Sequence, residues 1–122
     1  MNDLLARSLR EDIESRQEEM MGFLEALVRA ESPSVVPESQ RGVQDLLAGS
    51  LEESGFLVRM IRGRGKSGGL LYASPRARCR SAPFQLLIGH TDTVWPLGTV
   101  REMPVRLEIC AFCPFVPRFS KN

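Results

Sequence analysis

One histidine, one tryptophan, one tyrosine and three cysteines in 122 residues leave few ways to build a site. An odd, small set of cysteines is no disulfide framework, and in a reducing compartment these residues stay as thiols unless they bind metal. No run approaches the ~20 apolar residues that span a bilayer. The start, residues 1–17, is polar and acid-rich, without the apolar core of a secretory signal or the Arg-rich, acid-poor pattern of a transit peptide. A soluble, cytoplasmic protein without a membrane partner is expected. Internal repeats and low-complexity segments are absent as well.

Acids are missing from one long stretch. Twelve of the fifteen lie at or before Glu53, and between Ser54 and Thr91 there are none, against Arg59, Arg62, Arg64, Lys66, Arg76, Arg78 and Arg80. The overall charge of +1 nevertheless argues for neither a polyanion partner nor an acidic tail. Phosphate binding needs bases clustered on one face. These sit mainly in two loops with Tyr72 as the only aromatic nearby, so solvated loops are expected and no nucleic-acid partner.

What is present is enough for one domain. With 43% hydrophobic residues, a chain of this size buries about 65% of the surface its unfolded form exposes. From Ile13, the residues Met20, Leu24, Leu27 and Val28 share one face of a 3.6-period helix, with Glu14, Glu18 and Glu25 opposite. That helix should stop near Ala30, ahead of Pro33 and Pro37. A second begins near Ser39, carries the stripe Val43, Leu46, Leu47 and Leu51, and ends at Gly55, which suits a left-handed cap. Residues 56–61 and 70–73 read as strands joined by the glycine-rich turn 63–69, a hairpin. After a basic loop, the nearly continuous apolar run Phe84-Gln85-Leu86-Leu87-Ile88-Gly89 reads as a central strand buried on both faces. Two helices, a hairpin and a buried central strand define an α/β layer structure.

Three short patterns can be set aside or kept open on chemical grounds. Gly63-Arg64-Gly65-Lys66-Ser67-Gly68 has the spacing of a dinucleotide-binding turn, but that site needs a helix immediately afterwards and an acid about 20 residues on. Here a strand follows, and the next acid is Asp92. The triplet Gly65-Lys66-Ser67 fails as a phosphate loop because Met60 stands where the leading glycine belongs. Cys79, His90, Cys110 and Cys113 form one possible set of four zinc ligands, although only Cys110 and Cys113 are closely spaced. A small zinc-knuckle or basic binding module built on these four residues is the alternative reading.

The segment Gly89-His90-Thr91-Asp92-Thr93-Val94 carries the most chemistry. A buried strand would deliver the single histidine to its carboxyl end, where open α/β sheets place ligands. If the extended conformation persists for two residues, His90 and Asp92 point to the same side. A carboxylate there can fix a metal-binding imidazole. From the residues alone, a metal ligand and a strand-end histidine satisfied by hydrogen bonds both remain open.

Together with Trp95-Pro96-Leu97-Gly98-Thr99-Val100, this run resembles the first metal-ligand motif of the zinc metallopeptidases that include glutamate carboxypeptidase, aminoacylase, acetylornithine deacetylase and succinyl-diaminopimelate desuccinylase. The Trp-Pro-x-Gly extension is most similar to the glutamate carboxypeptidase branch. A long first helix, Glu31-Ser32-Pro33-Ser34, a second helix and Ser54-Gly55-Phe56 leading into a strand resemble that family's opening in order and spacing. The resemblance implies the N-terminal portion, residues 1–108, of a mixed-sheet zinc-exopeptidase-like catalytic domain. It implies that His90 is a ligand of one of two zinc ions and that Asp92 is the acid orienting it. Paired zinc in that family polarises the scissile carbonyl and activates a bridging water, while a glutamate acts as general base. The implied substrate is a small peptide or N-acyl amino acid with a free carboxylate.

Agreement ends near Glu108. Residues 109–122 contain Cys110 and Cys113, two prolines and three phenylalanines, with no acid, glycine or histidine. The expectation is a non-family tail, out of frame with the parent gene or disordered. After Asp92 the only acids are Glu102 and Glu108. The bridging aspartate, general base and remaining ligands implied by the resemblance therefore have no counterparts, and the isolated chain is expected to be inactive and to bind zinc weakly at most. Glu18-Glu19 and Glu52-Glu53 read as solvated helix charges.

Overall fold

The computed structural model describes residues 2–77, 81 and 83–103. Among these residues, helices and one two-stranded antiparallel sheet make up the regular structure, an α/β arrangement. Helix α1 runs Asn2–Ser15 and α2 runs Gln17–Arg29. The expected first helix is therefore longer than its apolar stripe implied. It reaches back through the polar start and is interrupted only at Arg16 (φ −104°, ψ 11°). The amide of Arg16 still donates to the carbonyls of Asp12 and Ile13, at 3.2 Å each, so the two helices follow one another almost without a gap. Exposed pairs one turn apart, Arg10 with Glu14 and Arg29 with Glu25, decorate the surface.

One turn of 3-10 helix, Pro37–Ser39, leads into α3, Gln40–Glu53. Its expected inward stripe is only partly buried. Val43 is covered, Leu47 and Leu51 are half-buried, and Leu46 is exposed, while Gln40 and Gln44 complete the buried face. These glutamines are inside because the glycine-rich turn packs on them. Gln44 Nε2 donates to the carbonyl of Gly68 at 3.3 Å, and a side chain at Gly68 would collide with Gln40. Gly55 follows α3 in the left-handed region (φ 87°), its amide bonded to the carbonyl of Glu52, as expected of a helix cap.

Strands β1 (Phe56–Ile61) and β2 (Leu70–Pro75) pair from Phe56 with Pro75 to Ile61 with Leu70. Alternation leaves Phe56, Val58 and Met60 half-buried, and α3 packs against this hairpin. A short helix, α4, spans Thr99–Glu102.

The buried central strand is not formed. Residues 84–90 belong to no strand, and Leu86, Leu87 and Ile88 are 70%, 93% and 86% exposed. An apolar strand covered on both faces needs neighbours along its edges and layers above and below. The described residues offer only a hairpin whose two strands pair with each other. The expected boundary at Glu108 and the tail, residues 109–122, lie outside the described residues, as do Cys79, Cys110 and Cys113. Among the described residues no helix is long and apolar enough to cross a membrane.

Candidate functional site

Two segments far apart in sequence build the site. The amide of Thr93 donates to the carbonyl of Ser32 at 2.8 Å, and the amide of Ser34 donates to the carbonyl of Thr93 at 2.9 Å. Together they form a single parallel bridge between Pro33 and Thr93. The Ser32 hydroxyl adds a bond to the Thr91 carbonyl at 2.5 Å. Ser32 and Pro33 are buried, whereas Ser34 and Thr93 on the same splice are exposed.

Glu31 secures the next stretch. Its two carboxylate oxygens accept the backbone N–H groups of Gly98 at 2.8 Å and Val100 at 2.9 Å. Those amides open α4, where a short helix has unpaired donors. The Val100 and Gly98 amides hold the Glu31 carboxyl below its ordinary pKa. Gly98 enters this turn at φ 95°, and the Thr99 hydroxyl closes it on the Pro96 carbonyl at 2.7 Å.

Between these anchors lies the pair the sequence singles out. His90 Nδ1 is 3.3 Å from Asp92 Oδ1 and 3.2 Å from the Asp92 carbonyl oxygen. The other carboxylate oxygen, Oδ2, accepts the Ser34 hydroxyl at 2.7 Å. That hydroxyl is the first cause of a depressed Asp92 pKa, followed by Asp92's own amide and then by His90. The imidazole is 86% exposed, so its Nε2 edge is open to solvent.

No family model, curated protein or solved structure matches the chain.

The donor set gives a direct test of fit for a metal. One imidazole backed by a carboxylate is what a single metal-ligand position requires. No group of three or more His, Cys, Asp or Glu side chains converges among the described residues, so these do not fit a complete zinc centre. Nor does the glycine-rich turn form a nucleotide site, since it runs into β2 rather than a helix. Arg59, Arg62, Arg64, Lys66 and Arg76 are exposed, whereas Arg78 and Arg80 lie outside the described residues.

Sequence reasoning placed His90 beside Asp92 but gave Glu31, Ser32 and Ser34 no chemical part. The motif Glu31-Ser32-Pro33-Ser34 was visible, yet its contacts reach 58 to 69 residues down the chain. The proline favours extended backbone just before it, but a carboxylate and two hydroxyls beside a proline suit short-range capping equally well, so the pattern does not point to these distant partners.

Proposed function

We propose that the chain carries the first metal-ligand position of a zinc-dependent metallopeptidase of the glutamate carboxypeptidase and aminoacylase type. In this reading His90 is the ligand, and Asp92 is the carboxylate that orients it. The intact activity is hydrolysis of the amide bond of a small peptide or N-acyl amino acid bearing a free carboxylate. The observation that carries the proposal is the His90–Asp92 pair. The carboxylate meets one ring nitrogen while being held from behind by Ser34, and the far edge of the ring is left open.

These residues orient an imidazole and keep its lone pair available. They supply neither the further donors nor the general base of a two-zinc hydrolase, so no hydrolytic step is assigned to this chain alone. The alternative, a zinc knuckle using Cys79, His90, Cys110 and Cys113, shares only His90 with this site.

Equilibrium dialysis of the 122-residue chain against zinc, beside His90→Ala and Cys110→Ser, separates the two. The proposal expects weak binding that is lost with His90→Ala and retained with Cys110→Ser, without hydrolysis of N-acyl glutamates. Loss of zinc on changing Cys110 supports the knuckle, and stoichiometric zinc with amide hydrolysis contradicts the claim that this chain is inactive.

A further inference from the structure

The ring nitrogens of His90 have unequal surroundings. Among the described residues Nδ1 faces two acceptors and no donor, the Asp92 carbonyl oxygen at 3.2 Å and Asp92 Oδ1 at 3.3 Å. A neutral imidazole can meet two acceptors there only by carrying its proton on Nδ1. Its lone pair is then on Nε2, at the exposed edge of the ring. That arrangement depends on how the Asp92 carboxylate is turned, because a half-exposed aspartate has no steric reason to keep one oxygen toward the ring.

We infer that Ser34 is the positioning residue that sets the His90 tautomer, by holding Asp92 Oδ2 so that Oδ1 faces Nδ1. Ser34 is suited to this because its backbone is fixed in the bridge to Thr93, through its own amide at 2.9 Å. Its hydroxyl lies 2.7 Å from Asp92 Oδ2 and 3.0 Å from the Thr93 carbonyl. A hydroxyl has one proton to give, and the shorter, charge-assisted bond to the carboxylate takes it. Ser32, two residues earlier, spends its hydroxyl on the Thr91 carbonyl and does not touch Asp92. The two serines therefore differ in function although they sit in one splice. What the Nε2 lone pair binds rests on the metal-ligand reading above, whereas the tautomer does not.

The test is long-range nitrogen–proton correlation on the metal-free, nitrogen-15-labelled full chain, at a pH where imidazole is neutral. With a single histidine, the ring signals need no assignment. Wild type should show Nδ1 protonated as the majority form. Ser34→Ala should lose that majority to the Nε2-protonated form that unconstrained histidine side chains prefer, Ser34→Thr should restore it, and Ser32→Ala should leave it as in wild type. An unchanged tautomer in Ser34→Ala overturns the inference. So does an equal loss in Ser32→Ala, since that would mean the splice as a whole, not the hydroxyl on Asp92, governs the ring; so does a wild-type chain with Nε2 protonated. Adding zinc to the same samples tests the metal reading separately, because a tautomer shift without any zinc response upholds Ser34 and refutes only the ligand.

Discussion

The carboxylate of Glu31 accepts the amide of Val100 at 2.9 Å, joining the exit of the first helical region to the start of α4 across 69 residues. The same carboxylate takes the Gly98 amide, so one side chain pins the turn that follows the His90 segment.

Acid should loosen this clamp. The Glu31 carboxyl is held below its ordinary value by the two amides. Its stabilising contribution is therefore complete above the unfolded pKa, near 4.5. It is lost as pH falls from there through the lower folded value. Fluorescence of Trp95, the only tryptophan, followed on acidification should report release of the turn in that window. Glu31→Gln, whose amide group cannot accept on both sides, should show the released signal already at neutral pH and little further change on acidification. An identical acid profile in the two proteins would mean that Glu31 does not hold the turn.

Two glycines should respond to alanine in opposite directions. Gly22 lies within α2, and a Cβ there meets nothing within 4 Å, so Gly22→Ala should stabilise the chain by about 0.5–1 kcal/mol. Gly55 sits at φ 87°, where a side chain is strained, and Gly55→Ala should destabilise by about 1–2 kcal/mol. Urea unfolding of the three proteins measures both, and a stabilised Gly55→Ala would contradict the left-handed cap.

Leu86, Leu87 and Ile88 expose consecutive apolar side chains in an unpaired segment. Such a stretch favours self-association. Leu87→Lys should lower light scattering at high concentration while changing stability by less than about 0.5 kcal/mol, because Leu87 is 93% exposed. A marked loss of stability would show that Leu87 is packed in solution.

The local parts of this fold were legible because local patterns determine them. The stripe ending at Gly55 marked α3, and short runs of bulky apolar residues on either side of a glycine-rich turn marked the hairpin. The run 84–89 misled for a physical reason. An apolar sequence records a preference for burial, while a strand also needs a neighbouring strand, and the sheet among the described residues consists of β1 and β2 alone. The first helix was underestimated because residues 2–12 are polar enough to mask the spacing of Leu5, Leu9 and Ile13, which remain more than half exposed. At the site, the closeness of His90 and Asp92 was readable from their two-residue separation. Ser34 and Glu31 were not, because nothing in a sequence announces a hydrogen bond to a residue 58 or 69 positions away.

The proposed role of His90 Nε2 as a metal-ligand position is open to zinc titration of the nitrogen-15-labelled chain, observed at the ring nitrogens of its one histidine. A saturable change at Nε2 that survives Cys79→Ser and Cys110→Ser is expected. A ring that stays unperturbed at about millimolar zinc, which means binding weaker than about −4 kcal/mol, or that responds only while those cysteines are present, would rule this role out.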